Sequence, residues 1–175
     1  MNYRNFHAAI LAASMSLAAT FAHAALDASI KVTGAKQDEF PGTSTKHKGS
    51  SDVTEFVTGL NYSIVSPRDA TSGLSSGKRK HSAFKVTRVV DAMAPKFGQA
   101  IMNGELLPAV RLTVYKLVNG KETVDYTIDL TRAHVIAIER MKVKPEIEIV
   151  SFNYEKITVT WAGGKTFTDD WEARQ

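Results

Sequence analysis

The feature that most constrains this chain is a hairpin pattern between residues 110 and 130. Residues 110–115 alternate apolar with polar or aromatic side chains, and residues 123–130 do so again. Between the two runs stands Asn119-Gly120, a dipeptide typical of a two-residue type I′ turn. Successive side chains of a strand point to opposite faces, so each run can bury one face and expose the other. The sequence therefore predicts two antiparallel strands joined by a tight turn, a unit that needs further strands to be stable.

The same period of two recurs along most of the chain and predicts a mainly β protein. Further strands are expected at residues 26–33, 53–65, 83–90, 134–138 and 157–161. Only one segment has helical spacing, and it begins near Pro95 and ends at Asn103-Gly104. Strands joined by hairpins, with one short helix, indicate an antiparallel β-barrel or a sandwich of two sheets.

The first 24 residues have the layout of a secretory signal peptide. Arg4 precedes an apolar stretch at residues 8–22, and Ala22-His23-Ala24 fits the cleavage site. Cleavage after Ala24 would leave residues 25–175 as one domain with a formal charge of +3, from 21 basic (22 minus Arg4) and 18 acidic residues. The apolar stretch is shorter than the roughly 20 residues that a membrane span needs, and no later stretch is long enough, so no span is expected in the mature chain.

Composition excludes several classes of function. The chain has no cysteine, which excludes thiol catalysis and zinc–cysteine sites. Its small, mixed charge gives no indication of a nucleic-acid partner. The mature histidines His47, His81 and His134 have no close spacing, so no metal or other cofactor is predicted. We expect His134 to share a strand face with Ile136 and Ile138, as a core or rim residue.

Residues 73–77 fit the G-x-S-x-G frame of a serine-hydrolase elbow, with Ser75 as the nucleophile. Asp125 and His134 could be assigned as the other triad members. Such an elbow requires a strand that turns directly into a helix, whereas a basic cluster and a strand follow here. A secreted serine hydrolase is therefore a remote alternative.

Two other polar segments need an interpretation. Residues 66–82 are rich in serine, glycine and charge, and a structureless loop of about 17 residues usually has a function. Near the C-terminus, Asp169 and Asp170 are expected to be solvated, because adjacent side chains on an extended segment point apart.

Several segments, taken in order, resemble the haemolysin-coregulated proteins (Hcp) of bacterial type VI secretion. They are residues 26–34, 42–56, 83–116, 126–138 and 150–161. The most specific is 83–116, in which a strand leads through D-x-x-x-P into the single helix and P-x-x-x-L-T opens the hairpin. Trp171 stands near the place of the family's terminal Gly-Trp segment.

The resemblance implies a closed antiparallel β-barrel with one helix, hexameric rings of the protein itself, and rings stacked into a tube. It also implies the type VI spike, sheath and effector proteins as partners, and it carries over no catalytic residues. In the family a long loop contacts the neighbouring subunit, and residues 66–82 occupy its position. The candidate contacts are therefore Arg68, Asp69, Lys78, Arg79, Lys80 and His81.

Family members typically lack a cleavable signal, which leaves two alternatives. One is an exported Hcp-like domain that acts as a binding module outside the tube. The other is translation from Met15, which would replace the signal peptide with a short arm.

Overall fold

The computed structural model of the chain describes residues 27–53 and 59–171. The expected signal peptide, its cleavage site and Met15 lie outside these residues, as does part of the strand expected at 53–65. Within the described ranges, no helix has the length and apolar character needed to cross a membrane.

The predicted mainly β fold is confirmed. The strands are β1 (Asp27–Gly34), β2 (Asp38–Glu39), β3 (Ser51–Val53), β4 (Leu60–Asn61), β5 (Ile64–Val65), β6 (Lys80–His81), β7 (Phe84–Val89), β8 (Leu107–Val118), β9 (Lys121–Met141), β10 (Ile147–Asn153), β11 (Lys156–Trp161) and β12 (Thr166–Asp170), and the helix is α1 (Ala94–Asn103). Antiparallel pairing runs β10-β7-β3-β1-β8-β9, and β10 also pairs with β9. This last pairing closes the sheet into a barrel, and β5 and β6 form a separate small sheet.

The predicted hairpin is formed by β8 and β9. Val118 pairs with Lys121, and the two residues between them have the positive φ angles of a type I′ turn, 51° at Asn119 and 75° at Gly120. β9 is long enough to pair with β8 and β11 along its first half and with β10 along its second half. One strand therefore joins the barrel to the β11–β12 hairpin.

The sequence predicts His134, Ile136 and Ile138 on one face of the second half of β9, and this prediction is wrong. Val135 is buried there, whereas Ile136 is half-exposed. The pairing with β10 skips Ile136, because Val135 faces Phe152 and Ala137 faces Ser151. A bulge of this kind inserts an extra residue and reverses the side-chain alternation that the sequence prediction assumed.

The predicted helix α1 is confirmed and covers the barrel core. Gly104 ends it in the left-handed conformation and donates its N–H to the carbonyl of Ile101 at 3.4 Å. Phe97 is buried and packs edge-to-face on Phe40 and Phe152, with ring centroids 5.3 and 5.9 Å apart. Aromatic packing of this kind is how a short helix becomes stable, since its own hydrogen bonds are marginal in water.

An ion-pair network is buried beside α1. Arg88 on β7 and Glu148 on β10 face each other in register, and both side chains are 0% exposed. The Arg88 guanidinium also donates to Asp91 and, at 2.8 Å, to Ser51 Oγ. Arg140 binds the second oxygen of Glu148 at 3.1 Å. Each buried charge is thus paired and hydrogen-bonded, as burial in a low-dielectric interior requires.

Candidate functional site: the arm and its anchor

Residues 64–81, here called the arm, form an ordered hairpin. β5 leaves the barrel and β6 returns to it, with Ile64 opposite His81 and Val65 opposite Lys80. Further out, Ser76 donates its N–H to the carbonyl of Pro67 at 3.1 Å. The expectation that residues 66–82 lack structure is therefore wrong, because backbone pairing continues well beyond β5 and β6.

The tip of the arm is held by Asp69. Its carboxylate accepts the N–H of Ser72 at 2.7 Å, the N–H of Thr71 at 3.1 Å and the Ser72 hydroxyl at 2.9 Å. These hydrogen bonds, led by that from the Ser72 backbone, lower the pKa of Asp69 below its usual value of 3.8. Arg68 donates to the carbonyl of Gly73 at 3.0 Å. The tip presents Leu74, an apolar side chain that is 70% exposed.

The base of the arm is held by Asp169 on β12. Arg79 donates two parallel hydrogen bonds to this carboxylate, at 2.8 and 2.7 Å. The expectation that Asp169 is solvated is wrong, since only 6% of the side chain is exposed. Pairing with Arg79, followed by the bond from His81, lowers the pKa of Asp169 below 3.8 even though burial opposes this. A bidentate arginine–carboxylate pair fixes direction as well as distance, so the arm leaves the barrel at a defined angle.

His81 completes this anchor from β6. Its Nε2 lies 3.0 Å from Asp169 Oδ2, and its Nδ1 lies 3.0 Å from the Tyr154 hydroxyl. A carboxylate can only accept, so Nε2 carries a proton, and in the neutral ring Nδ1 accepts the Tyr154 proton. Burial raises the pKa of Tyr154 to about 12, which keeps that proton in place. Trp171 packs on the His81 ring, with centroids 4.9 Å apart.

The structure thus divides the six candidate contact residues into three pairs. Arg68 and Asp69 hold the tip, and Arg79 and His81 hold the base. Lys78 and Lys80 are exposed and form no salt bridge with any residue of 27–53 or 59–171. Sequence reasoning missed that three residues outside the arm anchor its base: Asp169, Tyr154 and Trp171.

The groups needed for serine hydrolysis do not come together. Ser75 is exposed, and its hydroxyl donates to the carbonyl of Gly77 at 3.2 Å. Asp125 and His134 both lie on β9, where their separation of nine positions spans roughly 30 Å. Asp125 instead pairs with Lys116 at 2.5 Å. The hydrolase alternative therefore has no triad in the structure.

We predict that Asp169→Asn lowers the free energy of unfolding at pH 7 by about 2 kcal/mol, because the buried charge-assisted bonds to Arg79 and His81 are weakened. The folded pKa of Asp169 is depressed, so its stabilising effect is present above pH 4 and is lost as the pH falls through the folded pKa. Urea unfolding at pH 7 and pH 3 should show the difference between wild type and variant shrinking in acid.

The matched control is Asp125→Asn, which breaks the exposed pair with Lys116 and should cost less than about 1 kcal/mol at either pH. A difference for Asp169→Asn that stays constant between pH 7 and pH 3 would contradict the role given to the ionised carboxylate.

A second polar cluster lies at the N-terminal end of β1. Asp27, His47 and Glu122 bring one ligand atom each to within 4.8 Å of one another, and His47 Nε2 is 2.7 Å from Glu122 Oε1. Lys46 reaches into the same cluster, with its ammonium 2.6 Å from Asp27 Oδ2. These three described residues could hold a metal ion. They are too far apart in the sequence for a motif to suggest a metal site.

Comparisons with known proteins agree with the fold and with the resemblance. The family described as "Type VI secretion system effector, Hcp" matches residues 29–161. The "Major exported protein" of Pseudomonas aeruginosa PAO1 is 29% identical over 168 residues, which covers 85% of this chain and 97% of that protein.

Solved structures of Hcp proteins have the same fold. A crystal structure of an Hcp protein superposes with a TM-score of 0.75 at 25% identity, covering 82% of this chain and 98% of its own. The secreted protein Hcp3 from Pseudomonas aeruginosa gives 0.71 at 25% identity, covering 85% of this chain and 99% of its own. The closed barrel, its single helix and the match over most of the sequence lead to one conclusion: the chain belongs to the Hcp family of type VI secretion proteins.

Proposed function

We propose that this Hcp protein closes into hexameric rings that stack into the tube of a type VI secretion system. Membership of the family makes it a tube or secreted component of that system. The observation that carries the proposal is the ordered arm, which extends from a complete barrel and is fixed at its base by Asp169. Ring closure needs two unlike patches that meet on neighbouring subunits, and a projecting arm provides one of them.

The contact with the neighbouring subunit would be made mainly by side chains of the arm that do not hold its tip or its base. Leu74 offers exposed apolar surface at the tip, and Lys78 and Lys80 offer positive charge along one side. Arg68 can contribute as well, although it also braces the tip. Because the arm is already ordered, little conformational entropy is lost when it docks on the next subunit.

The experiment is to measure the size of the purified mature protein and to image the main peak by negative stain. We expect rings with six-fold symmetry. A monomer that persists at high concentration would contradict ring formation and would favour the alternative, an exported binding module with the Hcp fold.

We also propose that the chain is exported with residues 1–24 as a cleaved signal peptide, in which case its rings would assemble after export. Translation from Met15 would instead fit assembly in the cytoplasm. The name of the Pseudomonas relative, a major exported protein, supports secretion without identifying its route. Intact mass of the native protein distinguishes the alternatives: a first residue at Ala25 supports cleavage, and an intact Met15 contradicts it.

Within the tube we propose a structural role without catalysis. The partners would be further copies of the chain and the spike, sheath and effector proteins of the secretion system. The scattered positions of Ser75, Asp125 and His134 support a role without hydrolysis. Ester hydrolysis by the pure protein that Ser75→Ala abolishes would contradict it.

A further inference from the structure

We propose that Asp27, His47 and Glu122 form a binding site for a divalent transition-metal cation such as Zn²⁺ or Ni²⁺, with Lys46 as a built-in competitor for the same carboxylates. The three residues come from separate segments: the start of β1, the loop before β3 and the start of β9. A cation bound here would join these three segments.

The imidazole is already held in an orientation suited to a metal ligand. The His47 ring stacks flat on Tyr115, with centroids 4.1 Å apart and an angle of 6° between the planes. Its side chain is 11% exposed, and its Nε2 points at Glu122. Nδ1 is buried without a hydrogen-bond partner and lies 3.9 Å from Asp52 Oδ1. In metal-bound histidine the non-ligating nitrogen usually donates its N–H to a carboxylate. Asp52 can take that place after a small movement, once the proton has moved from Nε2 to Nδ1 and a cation has bound to Nε2.

The charges around the cluster favour a divalent ion over the single ammonium now present. Asp27, Asp52 and Glu122 contribute three negative charges, and Lys46 contacts two of them, Asp27 at 2.6 Å and Glu122 at 3.9 Å. The Lys46 side chain is 62% exposed and can turn into solvent when a cation enters.

The ligand set also indicates the class of metal. One imidazole with two carboxylates suits zinc, nickel and related ions, whereas calcium and magnesium prefer oxygen ligands alone. We therefore expect Zn²⁺ and Ni²⁺ to bind more tightly than Ca²⁺ or Mg²⁺.

The test uses the full mature protein, freed of metal with a chelator and titrated with Zn²⁺ or Ni²⁺ by calorimetry and thermal unfolding. We expect one ion per subunit and a rise in Tm. Glu122→Gln and Asp27→Asn keep the side-chain shape but remove a ligand. Removing only a supporting group of a metal site costs about 10- to 100-fold in affinity, so each of these variants should lose at least that much. Circular dichroism confirms that each variant is folded.

Lys46→Met provides the sharpest measurement. The substitution removes the ammonium that competes with the ion for the carboxylates of Asp27 and Glu122, so binding should tighten by roughly tenfold. The matched control is Lys31→Met, since Lys31 is a similarly exposed lysine paired with Glu39 at 2.7 Å, and it should leave the affinity unchanged. The proposal is overturned if neither wild type nor Lys46→Met binds one ion per subunit, or if binding survives both carboxylate substitutions.

Discussion

Replacing residues 69–74 with the dipeptide Asn-Gly should give a folded protein that no longer forms rings. Arg68 and Ser75 already face each other as an isolated antiparallel bridge, so a two-residue turn can close the shortened arm between them. The change removes Leu74 and the Asp69 turn but leaves Arg79 and His81 on their anchor. Exposed loop tips contribute little to folding, so the shortened subunit should remain folded while the hexamer is lost. Its Tm should fall only by the stabilisation that ring formation gives to the wild type.

Size-exclusion chromatography with light scattering gives the mass, and thermal unfolding shows that the barrel is intact. Asp69→Ala is the companion variant, because it loosens the tip without shortening it. It should shift the ring–monomer equilibrium toward monomer and leave some rings at high concentration. A hexamer of unchanged stability in the shortened protein would place the subunit contact elsewhere on the surface.

Replacing Arg88 with methionine should cause a large loss of stability, about 3–5 kcal/mol, because it leaves Glu148 as an inadequately paired charge in the interior. Arg140 still binds one oxygen of Glu148 from the surface side, but the oxygen that faced Arg88 loses its donor. Asp91 also loses its guanidinium partner at the start of α1. Urea unfolding at pH 7 measures the difference.

Arg111→Met is the matched control, since it removes an arginine whose pair with Asp129 is exposed. Exposed pairs contribute about 0–1 kcal/mol, so this variant should unfold almost as wild type does. Equal losses for Arg88→Met and Arg111→Met would mean that the buried network does not stabilise the fold as argued.

Sequence patterns predicted the elements that are fixed by local physics. The turn at Asn119-Gly120 needs two residues with positive φ, and the helix ends at Gly104, which also has a positive φ. Both positions can therefore be predicted from the local sequence. β10 was harder to predict from alternation, because Glu148 and Ser151 are buried along with the apolar residues of that strand. A strand that is covered on both faces does not alternate.

The candidate site was predictable only in part. Composition identified the arm and its charged residues, but not which of them face the barrel. Arg79 and Asp169 are 90 residues apart, and His81 and Asp169 are 88 apart, so no local pattern links them. The same is true of Asp27, His47 and Glu122. These residues come together only when β1 pairs with β8 and β8 pairs with β9.

The attachment of the arm to β12 has a consequence for the order of events during synthesis. The barrel circuit β10-β7-β3-β1-β8-β9 does not include β12, so the core can close before that strand has been made. Whether a chain emerges from the ribosome or on the far side of a membrane, its N-terminal parts emerge first and begin to fold first. Asp169, however, is translated 90 residues after Arg79. A nascent or truncated chain can therefore fold its core while its arm has no fixed direction. If the arm makes the proposed ring contact, only subunits that contain β12 would be competent to join a ring.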